Sequence, residues 1–407
     1  MTRNILCLLS DTGGGHRSAA QAIIEALQYL YPDTYQVEMV DALLNYSPFP
    51  FNRMVYWYRP FVNEGVHLWK LTWKSTAGRR RTNLLLTLAY PYVRGWVRGL
   101  FRRPEPDAIL SVHPVFQHIP LHIVRKLGWQ APFISVVTDP VSVHPVWLYS
   151  QVDLCLVATE EARQRALRAG IPAARIRVTG MPVSLKFAHE VDDKLTLRGR
   201  LGLEVDRPAV LLVGGGEGMG PMFEIARAVA RARPPAQLCI VAGRNESLRR
   251  KLEAVSWEIP TRVFGFVTNM PEVMGACDLI ITKAGPGTIA EALVMGLPLL
   301  ISGFIPGQEE GNVRWVVENG AGALIQRPPA IAATARQWLE GDRGLLTQMA
   351  ARARSLGRPQ AALNIARAVH ELINARARSA TGARAILPRR GDAEQQTQRS
   401  TLYTGRS

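Results

Sequence analysis

Short runs of consecutive apolar residues recur along the chain and alternate with stretches whose apolar positions return every three or four residues. In the first half the runs read NILCLLS, YQVEMVDALL, DAILSVHP, PFISVVTD and DLCLVAT. The series then starts again with PAVLLVGGG, QLCIVAG, TRVFGFV, DLIITKAG and LPLLISG. Continuous apolar runs predict strands buried on both faces, and the period-3.6 stretches between them predict helices that cover a parallel sheet. TEEARQRALRAG carries the signals of such a helix: Thr159 as N-cap, acids in the first turn and Gly170 as terminator. The pattern predicts an α/β protein of two Rossmann-like domains in tandem, facing each other across a cleft that suits a ligand. The join falls in VTGMPVSLKF, so residues 1–180 form one domain and 181–378 the other, with two terminal helices in the second. Residues 379–407 are polar and aperiodic and are expected to be a disordered tail.

Composition fits this division, because 407 residues with 47% hydrophobic content can fill two cores. Cys7, Cys155, Cys239 and Cys277 lie far apart in apolar runs, with neither metal-ligand nor disulfide spacing, and predict buried thiols in a reducing cytoplasm. The first apolar run is too short for a signal sequence and reads as a strand.

Charge alters the picture more. The formal net charge is +16, and from Pro50 to Arg103 eleven basic residues stand against the single acid Glu64. Arg79, Arg80 and Arg81 are consecutive, and four tryptophans (Trp57, Trp69, Trp73, Trp96) lie among the cations. Cations interleaved with amphipathic rings suit an anionic lipid headgroup layer. Single-stranded nucleic acid could use the same chemistry, but no nucleic-acid-binding motif accompanies the segment. A helix pair that packs its rings in a core accounts for the aromatics and leaves the arginines unexplained. TNLLLTLAYPYVRGWV meets Pro91 and Arg94 before it reaches the roughly 20 residues of a membrane span. The expectation is a peripheral protein on the inner face of the cell membrane, with anionic phospholipid as a candidate activator and no nucleic-acid partner.

Two glycine-rich stretches follow strands. VLLVGGGEGMGP, with Gly216 at its centre, matches neither a P-loop nor a dinucleotide fingerprint. DLIITKAGPGTIAEALVMGLP is more specific: a strand ends, the turn Lys283, Gly285, Gly287 leaves backbone N–H groups free, and a helix beginning near Thr288 points its positive end at the turn, as a pyrophosphate requires. Glu291, one turn on, can accept hydrogen bonds from two ribose hydroxyls; the alternative is a capping box with Thr288. GQEEGNVRW presents Gln308, Glu309 and Asn312 in what reads as a polar loop fit to hold sugar hydroxyls.

SDTGGGHRSAA, VTDPVSVHPVW, LLVGGGEGMGP, GFVTNMPEVMGACDLIITKAGPGTIAEA and GQEEGNVRWVVENG together resemble the monogalactosyldiacylglycerol synthase family, GT-B glycosyltransferases of family 28. The likeness runs in order to about residue 375. It implies a UDP-sugar donor in the second domain, diacylglycerol in the first, and transfer with inversion. It also implies that Phe266 and Val267 border the uracil, Glu291 binds ribose, Gly216 and Thr288 lie at the diphosphate, Gln308 with Glu309 holds the sugar, and Trp147 meets the acceptor or a phospholipid. The transferred sugar implied is galactose, with glucose as the alternative.

The first glycine loop is then free for the acceptor. Gly14 and Gly15 make the turn and His16 follows. An inverting transfer needs a base for the acceptor hydroxyl, and a helix N-terminus disfavours imidazolium, so His16 is expected to stay neutral and serve. Capping the helix or binding a lipid headgroup is the other reading. Asp139, at a strand end, is the rival base; His144 follows it in the same loop as a candidate acceptor contact. No residue set has metal-ligand spacing, and a helix N-terminus can stabilise the leaving diphosphate, so no essential metal or organic cofactor is expected.

Overall fold

The computed structural model describes residues 2–11, 14–54, 56, 65–189, 191–341 and 343–386. Trp57, Tyr58, Arg59, Phe61 and Glu64 of the basic segment, and residues 387–407 of the expected tail, lie outside them.

Among the described residues the ten apolar runs supply five strands to each of two six-stranded parallel sheets, and a three-residue strand too short to stand out as an apolar run completes each sheet. The first has the order β2-β1-β3-β4-β5-β6, from β1 (Arg3–Leu9), β2 (Tyr35–Asp41), β3 (Ala108–Ser111), β4 (Phe133–Val136), β5 (Leu154–Val157) and β6 (Ile176–Val178). The second has the order β12-β11-β10-β7-β8-β9, from β7 (Ala209–Val213), β8 (Gln237–Val241), β9 (Thr261–Phe264), β10 (Leu279–Lys283), β11 (Leu299–Gly303) and β12 (Gly322–Leu324). Each sheet reverses its strand order beside its first strand, and the loops leaving β1, β7 and β10 carry the glycines. Those switch points are where an open α/β sheet receives a ligand.

Six helices position the cleft and the exposed surface beside it: α1 (Gly15–Leu30), α2 (Val66–Thr76), α3 (Arg79–Leu100), α4 (Pro286–Met295), α5 (Glu310–Glu318) and α6 (Ala361–Ile386). Two departures from the sequence reading have local causes. In YQVEMVDALL the strand stops at Asp41, whose side chain accepts from Leu44 N and caps a short helix, Ala42–Tyr46. Pro91 does not interrupt α3, which runs straight through it; the lost hydrogen bond is tolerated because the helix packs on its domain through Val93, Val97 and Leu100.

The last helix corrects the assignment of both terminal helices to the second domain. Arg343–Leu356 does pack there, through Ala353. The chain then recrosses, and α6 buries Ala362, Ile365, Ala366 and Val369 with Ala20, Ala22, Ile23 and Ala26 of α1. Small residues on both helices allow that close approach. The helix also continues to Ile386, past the point where the tail was expected to begin. The four cysteines are free and buried, as the sequence suggested.

Among the described residues no helix is long and apolar enough to cross a membrane. Helix α3 nevertheless has a second apolar face. Leu84, Leu88, Tyr92 and Trp96, four apart, form a stripe in which every member is more than half exposed, and Leu68 and Leu71 of α2 are exposed as well.

Candidate active site

A cavity of about 850 Å³ lies between the two domains. From the first it is lined by Gly14, Gly15, Arg17 and Ser18, and from the second by Gly216, Phe266, Val267, Lys283, Gly285, Gly287, Thr288 and Glu291. The turn after β10 is set by a register shift between Thr282 and Lys283. Helix α4 then begins at Pro286, with Gly285 at its N-cap and so no side chain to bond the first turn. Thr288 is therefore inside the helix rather than at its cap, which removes the capping-box reading of Glu291. The first-turn N–H groups of α4 are available to an anion at the cavity wall.

Lys283 Nζ lies 2.7 Å from Glu309 Oε1, and Glu309 Oε2 accepts from Ile305 N at 2.8 Å. Gly285 is close beneath this pair, where an added Cβ would stand 3.2 Å from Lys283 Nζ. Burial raises the Glu291 carboxyl to about 7. Phe266 is exposed at the rim, with the Arg244 guanidinium 4.1 Å from its ring centroid and Glu217 paired to Arg244 at 3.2 Å.

A second cluster lies beside the first. His16 Nδ1 is 3.1 Å from Thr138 Oγ1, and the ring meets His113 edge-on at 4.5 Å and Trp147 at 6.1 Å. Burial lowers its pKa to about 4, against smaller opposing effects from the Val112 carbonyl and Asp11. The ring is neutral at physiological pH, as expected, but desolvation is the main cause rather than the helix dipole. Asp139 is buried and accepts from Trp147 Nε1 at 2.8 Å. Burial raises its carboxyl to about 7; the Trp147 bond opposes this, Glu309 adds to it, and a bond from Gln308 opposes it. Asp139 of the first domain and Gln308 and Glu309 of the second thus share one site. Among the described residues no three His, Cys, Asp or Glu side chains converge as a metal site would need.

The family model for monogalactosyldiacylglycerol (MGDG) synthase matches residues 16–183, and that for the glycosyltransferase family 28 C-terminal domain matches residues 209–328. The chain is 43% identical over 385 residues to a probable monogalactosyldiacylglycerol synthase, chloroplastic, of Nicotiana tabacum, covering 92% of this chain and 71% of that protein. It is 42% identical over 382 residues to monogalactosyldiacylglycerol synthase 1, chloroplastic, of Arabidopsis thaliana, with 91% and 71% covered. This chain belongs to the monogalactosyldiacylglycerol synthase family. It is a hexosyltransferase that acts on diacylglycerol in galactolipid synthesis. Among solved structures, MurG of Acinetobacter baumannii superposes with a TM-score of 0.57 at 16% identity, covering 90% of this chain and 99% of that one. HepE of Anabaena, in complex with UDP, gives 0.53 at 15% identity, with 92% and 100% covered. The fold is GT-B. The relatives are designated chloroplastic, which overturns the expectation of a cytoplasmic protein on the inner face of the cell membrane.

The structure moves several of the remaining sequence-based residues away from their expected roles. Trp147 was expected to meet the acceptor or a phospholipid; it is 0% exposed and holds Asp139 from inside the core. Asn312 was expected in a polar sugar loop; α5 begins at Glu310, and Asn312 is buried within it, donating to the Ala284 carbonyl at 3.0 Å. Glu309 has both oxygens engaged, by Lys283 and Ile305, which leaves Gln308 as the more accessible member of that pair. His144 is buried, accepts from Val146 N at 3.2 Å and stands 4.6 Å from the Trp73 ring; burial lowers it to about 4. Outside that group, Arg79, Arg80 and Arg81, expected to meet anionic lipid, lie exposed in the first turn of α3, away from the cavity.

Sequence reasoning missed Arg17, Arg244 and Glu25. Glu25 of α1 accepts from Ser184 Oγ at 2.8 Å and Leu185 N at 3.2 Å, tying the first domain to the linking segment. Arg244 sits just past β8, a strand-end position that could have signalled it.

Proposed function

We propose that this enzyme transfers galactose from UDP-galactose to 1,2-diacylglycerol with inversion, at a membrane surface enriched in anionic lipid. The observation that carries the donor assignment is the shared lining of one cavity: Lys283, Gly285, Gly287, Thr288 and Glu291 on one side, and Gly14, Gly15, Arg17 and Ser18 on the other. The α4 N-terminus suits a diphosphate and Glu291 a ribose; Phe266 and Val267 at the rim suit a uracil. Lys283, held by Glu309, places a cation beside the diphosphate, so the reading calls on no metal ion.

Inversion requires a base opposite the leaving group. His16, neutral and fixed by Thr138, is the proposed acceptor of the diacylglycerol proton. A second reading is favoured by one observation: Asp139, at about 7, matches the operating pH better and faces Gln308. The acid limb of kcat distinguishes them, falling near pH 4 for His16 and near pH 7 for Asp139.

The membrane proposal rests on α3. Three arginines in its first turn oppose the helix dipole and so do not serve the helix itself, while the Leu84–Trp96 stripe beside them leaves apolar area uncovered. Cations and rings together suit an anionic headgroup layer.

The test offers UDP-galactose and UDP-glucose separately to diacylglycerol in phosphatidylglycerol-containing vesicles and determines the product anomer. Transfer of galactose to a β-linked product is expected. Preference for glucose would shift the donor assignment, and a retained anomer would refute the inverting mechanism.

A further inference from the structure

Arg17 stands in the first turn of α1, directly after His16, and lines the cavity together with Asp11. Its guanidinium lies side-on against the Asp11 carboxylate. Nε is 2.7 Å from Oδ1 and 2.9 Å from Oδ2, and Nη2 is 2.5 Å from Oδ2. Asp11 is held in turn, since its backbone N–H donates to Asp41 Oδ2 at 3.0 Å. The pairing uses the Nε and Nη2 edge of the fork. The other edge, Nη1 with the outer N–H of Nη2, has no acceptor among the described residues.

An arginine fixed on one edge by a carboxylate and open on the other is prepared for a bidentate oxyanion. Its rotamers are already restricted, so less freedom is lost when the second edge engages. The opposite wall supplies the partner geometry. Helix α1 packs against α4, and the same cavity is lined by Gly285, Gly287 and Thr288 at the α4 N-terminus. On that wall Lys283 shares its charge with Glu309, and Arg244 pairs with Glu217 over Phe266, so an open guanidinium edge from the facing wall adds to the charge that Lys283 brings to the diphosphate.

We propose that Arg17 is a phosphate ligand contributed by the acceptor-side domain: its open edge takes the diphosphate of the donor from across the cleft, and Asp11 positions it. This rests on the UDP-sugar reading of the cavity. Because the diphosphate gains charge as the glycosidic bond to it breaks, the contact strengthens in the transition state and acts on kcat as well as on binding.

Calorimetric titration of UDP and of uridine into wild type, Arg17→Gln, Arg17→Lys and Asp11→Asn tests this. UDP affinity is expected to fall about tenfold or more in Arg17→Gln, the usual effect of losing a charged hydrogen bond, while uridine affinity is unchanged. Unchanged uridine binding also shows that the variant is folded. Arg17→Lys keeps the charge without the fork and should lie between, and Asp11→Asn should weaken UDP less than Arg17→Gln does. Equal UDP affinity in Arg17→Gln and wild type would overturn the proposal. So would a turnover defect in that variant that is rescued by raising the phosphatidylglycerol fraction while UDP affinity is normal, since the edge would then serve a lipid phosphate. A wild-type protein that binds UDP no better than uridine would overturn the diphosphate reading itself, and this proposal with it.

Discussion

Replacing Asp139 by Asn should make the protein more stable at neutral pH and less active. The carboxyl is buried, and its pKa is raised from 3.8 to about 7. From about pH 4 to about pH 7 the unfolded chain has released a proton that the folded chain still holds. The unfolded state therefore binds fewer protons there, and stability falls as pH rises through that window. At about 1.4 kcal/mol for each factor of ten, the cost above pH 7 reaches at most about 4 kcal/mol. Water entering the site would reduce it.

Asn has the same shape, can accept from Trp147 Nε1, and does not ionise. Thermal melts of wild type and Asp139→Asn at intervals from pH 4 to pH 8 should coincide at the acid end and diverge toward pH 8, with the variant higher. Even a quarter of the full effect, about 1 kcal/mol, shifts a domain of this size by about 2–4 °C. The variant should also lose kcat, on the order of 10²-fold if the carboxylate is the base. Parallel melting curves across the whole range would refute the burial argument, because they would show a carboxylate ionised in both states.

The same geometry carries three more expectations. His16→Ala should lower kcat on the order of 10²-fold with UDP affinity nearly unchanged, and calorimetry beside steady-state kinetics checks both; normal turnover would leave Asp139 as base. Glu291→Gln should raise the KM for UDP-sugar about tenfold, and the wild-type KM should rise as pH falls through about 7 because the carboxylate is then protonated. Neutralising Arg79, Arg80 and Arg81 together should release the protein from phosphatidylglycerol vesicles in sedimentation, at up to about 1 kcal/mol per arginine and less in salt.

Much of the fold was legible because a doubly covered parallel strand leaves an unbroken apolar run, and this chain repeats that signal in two series. The Lys283–Thr288 turn was legible for the same reason, since its glycines stand between a clear strand and a clear helix. Contacts that depend on which layers meet were not. The alanine-rich face of α6 reads the same whether it covers the first sheet or the second, and its packing on α1 is a fact of tertiary structure. Trp147 follows His-Pro-Val in what reads as a loop, where nothing local shows that it turns inward to Asp139. Asn312 and Glu309 look like solvated loop residues until α5 forms and buries them. The two apolar faces of α3 merge into one dense pattern in the sequence, and only the packing of Val93, Val97 and Leu100 shows which stripe is left uncovered.

The chemistry of the cleft belongs to neither domain alone. Burial is the main cause of the raised Asp139 pKa, and two residues of the second domain act on it in opposite directions, Glu309 raising it and Gln308 lowering it. Three contacts hold that arrangement: Gly311 N donates to Ser142 Oγ at 3.0 Å, Arg314 pairs with Glu161 at 2.7 Å, and Glu25 anchors the linking segment. Gly311 has no room for a side chain, since a Cβ there would stand 2.5 Å from Ser142 Oγ. A rotation that parted α5 from the Asp139 loop would hydrate the carboxylate and return it toward its ordinary acidity, where it is a poor base. The basicity of Asp139 therefore depends on how the two domains meet, because residues of the second domain act on a carboxyl that belongs to the first.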